Sequence, residues 1–141
     1  MKNINTCSKM FKRILFSFLF LNIILISSTK SQSKAWVAPA SAQQVKNPTP
    51  SLLGGKVIYT SYCTPCHGSG GKGDGPAAAA LSPKPADHTS AAIKNETDGS
   101  LFWKISEGRK PMPQYKISFT PAQRWQLVNY IRSLSANSKK S

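Results

Sequence analysis

The chain of 141 residues is poor in acidic residues, histidine and cysteine, and these scarcities limit the sites that it can build. Five Asp and Glu stand against nineteen Lys and Arg, which gives a formal net charge of +14. Two histidines and three cysteines are only one more than the four ligands that a structural zinc site takes, so they leave little choice of ligands for such a site. No stretch alternates polar and apolar residues for long enough to predict a strand, and no internal repeat is present. The sequence therefore predicts an all-α fold.

The first 31 residues have the composition of a secretory signal peptide. Residues 1–13 carry basic groups and no acidic one, and residues 14–26, ILFSFLFLNIILI, carry no charge. The polar stretch SSTKSQS follows, which suits cleavage before Gln32. A membrane-spanning helix needs about 20 apolar residues, and the uncharged run of residues 14–26 is shorter than this. A cleaved signal peptide is therefore favoured over an uncleaved anchor. We therefore expect an exported, periplasmic protein, tethered to the membrane only if residues 1–31 are retained.

The remaining chain divides into three parts by composition. Residues 32–49 are small, polar and punctuated by proline, which predicts a flexible leader. Residues 50–134 form the folded domain, and residues 135–141 form a polar tail. After residue 31 the chain holds fourteen basic and five acidic groups. This basic surface suits an acidic protein partner or a membrane surface, and export argues against nucleic acid.

Three helices are predicted from capping residues and from apolar residues spaced three and four apart. The first begins at residues 49–50 and runs to Cys63, the second extends from Asp98 to Gly108, and the third begins at residues 120–121. The predicted apolar faces of the three helices are, in order, Leu52, Gly55, Tyr59 and Tyr62; Leu101, Phe102 and Ile105; and Leu127, Tyr130, Ile131 and Leu134.

Two thiols and an imidazole occur together in the segment CTPCH, residues 63–67. A redox dithiol of the thioredoxin type shares the C-x-x-C spacing but is expected in a βαβ setting, which this sequence lacks. A zinc site needs about four ligands, and the chain after residue 31 offers two Cys and two His, of which His67 directly follows Cys66, which is poor chelate spacing. A disulfide between Cys63 and Cys66 would close too short a loop to stabilise the fold much.

The same segment has the spacing of the haem c attachment motif, C-x-x-C-H, in which both thiols bond to the macrocycle and the histidine binds its iron. The thirty-residue link that follows, residues 68–97, is unusual in a compact domain unless it wraps something other than protein. The sequence therefore predicts one haem c, attached through Cys63 and Cys66, with His67 as a ligand of the iron.

Two residues of the exported chain are candidates for the second iron ligand, Met112 and His88. Met112 stands between Pro111 and Pro113, and both prolines restrict the backbone of the loop that presents its thioether. The ordinary alternative is a methionine buried in the core. Because a lone methionine between prolines is unusual in a core, the sequence favours Met112 as the ligand and predicts His88 at the surface.

Taken in order, these motifs resemble the class I monohaem cytochromes c of bacterial export compartments over about residues 50–134. The resemblance implies a small cytochrome c-type fold, in which three main helices wrap around one covalently attached haem. It also implies that the first and last helices cross at Gly55 and Tyr130. A proline carbonyl in the loop after the motif orients the ligand histidine in this family. Pro76 is the candidate by position, and Pro83 and Pro85 are alternatives.

The resemblance further implies one-electron transfer between respiratory redox partners rather than enzymatic catalysis. If His67 and Met112 fill both axial positions, no position is open to a substrate. A haem subunit of a larger oxidoreductase complex is an alternative, and a small haem peroxidase is a weaker one. Basic residues such as Lys72, Lys110 and Lys116 are expected to steer partners with acidic docking surfaces. Candidate partners of the haem propionates are Lys84, Trp103 and Arg109.

Overall fold

The computed structural model describes residues 35–48 and 51–137, and the regular elements within these ranges are all helical. In chain order they are α1 (Ala40–Gln43), α2 (Gly55–Ile58), a π-helical turn (Tyr59–Cys63), α3 (Thr64–His67), a 3₁₀ turn (Ala78–Ala80), α4 (Ala91–Asn95), α5 (Asp98–Glu107) and α6 (Pro121–Asn137). The all-α prediction is confirmed. None of the helices in these described ranges is both long and apolar enough to cross a membrane. The predicted signal peptide lies outside the described residues.

The first predicted helix begins later than its sequence pattern indicated. Residues 49–50 lie outside the described ranges, and α2 begins at Gly55, after Gly54 in the left-handed conformation with φ of 83°. Of the four residues predicted to form its buried apolar face, only Gly55 and Tyr59 are buried. Tyr59 is buried, whereas Leu52 and Tyr62 are 54% and 55% exposed. From α2 the chain continues through the π-helical turn into α3 without leaving helical geometry.

Helices α2 and α6 cross at Gly55, which lies against the backbone of α6. A Cβ atom on Gly55 would lie 2.1 Å from the Gln126 carbonyl oxygen and 3.2 Å from the Tyr130 Cβ. Beside this contact, the rings of Tyr59 and Tyr130 pack with their centroids 5.0 Å apart. The crossing predicted at Gly55 and Tyr130 is therefore present, because only a residue without a side chain allows so close an approach.

Helices α5 and α6 begin at polar caps. The cap of α5 is Thr97, one residue before Asp98, where the sequence predicts the helix to begin, and the Thr97 hydroxyl accepts a hydrogen bond from the Ser100 amide at 3.1 Å. At the start of α6, the Thr120 amide donates to the Gln123 side chain at 2.9 Å, and the Gln123 amide donates back to the Thr120 hydroxyl at 3.3 Å. Such reciprocal bonds satisfy amides that have no partner within the helix.

The buried apolar core that these helices share consists of Tyr59, Ile93, Leu101, Ile105, Phe119, Trp125, Leu127, Val128 and Ile131.

The segment for which the sequence predicts a flexible leader lies against the folded domain over residues 36–47. Ala38 is buried at 2% exposure, and the Asn47 amide donates to the Asn129 side chain on α6 at 2.6 Å. The difference arises because small residues such as Ala38 and Ala42 can pack closely on a neighbouring helix, which composition alone does not reveal. Apart from Ala35, the described residues belong to one unit, Trp36–Ser141.

Candidate functional site

The C-x-x-C-H residues lie where the first long helical segment ends, and their side chains line a cleft. Cys63 ends the π-helical turn, and Cys66 and His67 belong to α3. The cleft contains about 850 Å³ of space, part of it open to solvent. Its walls are mainly apolar and are formed by Trp36, Tyr62, Cys63, Cys66, His67, Leu81, Pro83, Lys84, Pro85, Ala86, His88, Arg109, Pro111, Met112, Pro113, Tyr115 and Ile131.

The His67 ring is oriented by a backbone carbonyl. Its Nδ1 lies 3.0 Å from the Ala86 carbonyl oxygen. A carbonyl only accepts hydrogen bonds, so Nδ1 carries the proton and Nε2 keeps its lone pair for a metal. Burial lowers the pKa of His67, although the bond to Ala86 opposes this shift. The ring is therefore held neutral in the tautomer that a metal ligand requires.

The predicted orienting residue, Pro76, is not the partner of His67 in the structure. Pro76 is exposed and does not line the cleft, whereas Pro83 and Pro85 do. The hydrogen-bonded carbonyl belongs to Ala86, immediately after Pro85. The glycine-rich loop instead caps the motif, since the Gly73 amide donates to the His67 carbonyl at 2.9 Å and the Gly75 amide to the Cys66 carbonyl at 3.1 Å.

His88 lies at the cleft rather than at the surface, contrary to the sequence-based expectation. It is 8% exposed, and its ring stacks on the His67 ring with the centroids 4.2 Å apart. Its Nδ1 lies 3.1 Å from the Tyr59 hydroxyl, which is also 3.3 Å from the Gly68 carbonyl oxygen. Burial, with a smaller effect of His67, lowers the pKa of His88 to about 3. No local pattern in the loop sequence marks this residue.

Met112 lies in a tight turn that brings its side chain to the same cleft as His67. The Arg109 amide donates to the Met112 carbonyl at 3.0 Å, and the Met112 amide donates to the Arg109 carbonyl at 2.8 Å. The side chain is half-buried and packs against the apolar core. The structure thus brings four of the five predicted site residues to one cleft, namely Cys63, Cys66, His67 and Met112.

Among the residues suggested as propionate partners, Lys84 and Arg109 line the cleft and Trp103 does not. Trp103 instead packs on Trp36, with the ring centroids 6.3 Å apart. Trp36 itself lines the cleft and was missed from the sequence, because it lies in the predicted leader, far from any motif. Pairing of a tryptophan with a distant helix carries no local signal.

The chemistry of these groups separates the interpretations that the motif allows. Both cysteines are unpaired, and burial, with a smaller contribution from Cys66, raises the pKa of the Cys63 thiol to about 12. A redox dithiol reacts through a thiolate of low pKa, so the raised pKa of Cys63 does not favour thiol exchange at this residue. Within residues 35–48 and 51–137, no three His, Cys, Asp or Glu side chains come together as a metal site. Two thiols and a neutral imidazole beside an apolar cleft do fit a covalently attached haem, which the two thiols would hold through thioether bonds.

Comparison with known proteins agrees with the geometry of the site. The sequence profile of the family described as cytochrome c matches residues 53–135, which is more than half of the chain. A solved structure from the reducing HAO-like protein complex Kustc0457/Kustc0458 of Kuenenia stuttgartiensis is similar, with a TM-score of 0.53 and 28% sequence identity. That similarity covers 64% of this chain and 49% of the solved chain. The chain therefore spans about half the length of the solved chain that it matches. A search of curated proteins gave no significant match. The chain belongs to the cytochrome c family, whose members transfer electrons through a covalently bound c-type haem.

Proposed function

We propose that this cytochrome c is a monohaem, one-electron carrier of class I, and that His67 and Met112 would be the protein ligands of its iron. Cys63 and Cys66 would hold the haem through thioether bonds. The observation that carries the proposal is that all four side chains line a single cleft, although Met112 is forty-five residues beyond His67. A bound haem supplies one iron that alternates between the ferric and ferrous states.

The protein residues would keep the same ligand set in both oxidation states. The bond from His67 Nδ1 to Ala86 fixes the ring orientation and leaves Nε2 for the metal. The paired hydrogen bonds between Arg109 and Met112 fix the turn that presents the thioether. Two protein ligands that do not exchange would leave the iron without a position for a substrate, which supports electron transfer over a peroxidase. Histidine with methionine also raises the reduction potential relative to two nitrogen ligands.

The absorption spectrum of the oxidised protein tests this ligand set. Methionine bound to ferric haem gives a weak band at the red end of the visible spectrum. We expect the wild-type protein to show the band and Met112→Ala to lose it, with the haem still covalently attached. Gln114→Ala is the matched control, because Gln114 is exposed in the same loop and does not line the cleft. An unchanged band in Met112→Ala would rule out Met112 as the ligand.

The place of electron transfer follows from the predicted signal peptide. We propose export to the periplasm with cleavage before Gln32, which N-terminal sequencing of the purified protein tests directly. A purified chain that keeps residues 1–31 would instead support a membrane tether.

In either form, the exposed cationic groups at and beside the cleft, Lys84 and Lys110, suit a redox partner with an acidic docking surface.

One comparison favours a second arrangement, in which the protein is a haem subunit of a larger oxidoreductase. The similar solved chain comes from a protein complex, and this chain matches about half of it. Purification from the native membrane and soluble fractions separates the two arrangements. A free carrier is recovered as a single small species, whereas a subunit migrates with larger proteins at physiological ionic strength.

A further inference from the structure

Residues 36–47, here called the N-terminal strap, lie outside the part of the chain that matches the cytochrome c family. The strap nevertheless contacts the domain at several points, at Trp36, at Ala42 and Val45, and at Asn47. The Gln43 side-chain amide donates to the Ala38 carbonyl at 2.7 Å. This hydrogen bond joins the last residue of α1 to the residues just before α1. Farther along, the Asn47 side chain donates to Asn129 on α6. The strap therefore has a defined path over the surface of α5 and α6.

The strap crosses α5 at Gly99, and this crossing requires glycine. A Cβ atom at Gly99 would lie 2.1 Å from the Ala42 carbonyl oxygen and 2.7 Å from the Val45 carbonyl oxygen. Both contacts are with backbone atoms of the strap, so a side chain at Gly99 could be accommodated only by moving the strap. The sequence of α5 is thus adapted to carry the strap at this point.

Trp36, at the start of the strap, joins the cleft to the turn that carries Met112. The Trp36 ring lines the cleft, and the Arg109 guanidinium lies over it, 5.0 Å from the ring centroid. Arg109 pairs with Met112 through two backbone hydrogen bonds. The ammonium of Lys104 on α5 also lies 5.5 Å from the Trp36 centroid. Cations placed over an indole face at these distances are attracted to it.

We propose that the N-terminal strap is part of the haem site, and that Trp36 is a positioning residue that supports the Met112 turn. The inference rests on the proposed ligation by Met112. By packing on Arg109, Trp36 restrains the turn, and by lining the cleft it excludes water and small ligands from the thioether. Loosening the strap lets the turn open, so an exogenous ligand replaces Met112 more easily. Because the strap begins after residue 31, it would remain after signal cleavage.

Binding of imidazole to the oxidised holoprotein tests the role of Trp36, with the red band reporting loss of the methionine bond. We expect Trp36→Ala to bind imidazole roughly threefold more tightly than the wild type, which corresponds to loss of one cation–π contact with an exposed guanidinium. Val37→Ala is the matched control, since Val37 is the next residue of the strap and is 65% exposed. It should bind imidazole as the wild type does.

A second variant keeps Trp36 and displaces the strap. Gly99→Ala should also tighten imidazole binding, because its new methyl group meets the strap backbone. Gly70→Ala is its control, since a Cβ at Gly70 has no neighbour within 4 Å. Gly99→Ala also provides the test if Trp36→Ala fails to mature with haem.

The two proposals fail in different ways. If the wild-type protein has no red band, ligation by Met112 is wrong, and the strap inference falls with it. If the wild type has the band but Trp36→Ala and Gly99→Ala bind imidazole no more tightly than their controls, ligation stands and the strap inference is overturned.

Discussion

The rings of His67 and His88 stack with their centroids 4.2 Å apart and their planes 17° apart. His88 is held from its other side by Tyr59, whose ring lies edge-on at 5.7 Å and whose hydroxyl lies 3.1 Å from Nδ1. The proposed iron ligand is therefore fixed both by a hydrogen bond to Ala86 and by a flat, buried neighbour. This neighbour remains uncharged because burial lowers its pKa to about 3.

The burial of His88 predicts loss of stability in acid. Between pH 6.5 and about 3, an unfolded chain binds a proton at His88 and the native protein does not. The free energy of unfolding therefore falls as the pH falls through this range. Replacing His88 by phenylalanine removes this contribution and keeps a flat ring.

Denaturant unfolding of the oxidised holoprotein at pH 7 and pH 4.5 measures this effect. We expect the stability lost between these two pH values to be smaller in His88→Phe than in the wild type by about 2 kcal/mol. His67 is present in both proteins, so the difference reports the titration of His88 together with its interaction with His67. Equal losses in the two proteins would show that His88 is not buried in its neutral form.

The close contact of α2 with α6 predicts that Gly55→Ala is destabilising. The added Cβ would lie 2.1 Å from the Gln126 carbonyl oxygen, so the two helices must separate. We expect a loss of roughly 1–3 kcal/mol in the free energy of unfolding, which is the usual effect of overpacking. The control Gly70→Ala, with no neighbour within 4 Å, should stay close to the wild type. Chemical denaturation of the three proteins checks this, and equal midpoints would contradict the crossing.

Arg132 on α6 ties this helix to α4, to the start of α5 and to the residues between them. It donates to the Ile93 carbonyl at 2.7 Å, to the Asp98 carboxylate at 2.8 Å and to the Glu96 carbonyl. We expect Arg132→Met to lower the free energy of unfolding by roughly 1.5–3 kcal/mol, since hydrogen bonds from a charged group are lost. Arg132→Lys should lose less, because a lysine keeps the charge but cannot reach all three acceptors. Thermal melts of both variants provide the measurement, and a methionine variant as stable as the wild type would disprove this role.

The basic groups at the cleft predict how charge affects electron transfer. Lys110 is exposed and precedes Pro111, which lines the cleft. Lys116 is less available, because it pairs with Glu107 at 2.7 Å. We expect Lys110→Gln to slow oxidation of the reduced protein by ferricyanide roughly twofold at low ionic strength, with the difference disappearing in high salt.

Two controls make the lysine experiment specific. Lys56→Gln removes an exposed charge from α2, where, unlike at Lys110, the residues on either side do not line the cleft, so its rate should change little. A cationic oxidant should show no slowing with Lys110→Gln. Equal effects of Lys110→Gln and Lys56→Gln with ferricyanide would mean that only net charge matters, which would contradict steering at the cleft.

The sequence predicted those parts of the site whose chemistry is encoded locally. The spacing of Cys63, Cys66 and His67 and the prolines around Met112 are visible without a structure, and these residues do line one cleft. The carbonyl that orients His67 was not predictable, because every residue has a carbonyl and only the path of the loop selects that of Ala86. Family position pointed to Pro76, which lies outside the cleft.

The remaining differences come from tertiary packing. Leu52 has the spacing of a core residue, but it lies before the helix. Gly54 has a left-handed backbone, and α2 begins at the next residue, Gly55. His88 and Trp36 lie in segments without periodicity, and their burial depends on Tyr59 and Arg109, which are distant in sequence. Capping at Thr120, in contrast, was predictable because its partner Gln123 is only three residues away.

The central claim is that one haem is attached covalently through Cys63 and Cys66. The most direct measurement is the intact mass of the purified, denatured protein together with the visible spectrum of its pyridine adduct. We predict a polypeptide heavier by a single haem, a c-type pyridine spectrum, and loss of both in the Cys63→Ser, Cys66→Ser double variant. A wild-type protein with the mass of the polypeptide alone and two titratable thiols would contradict the claim.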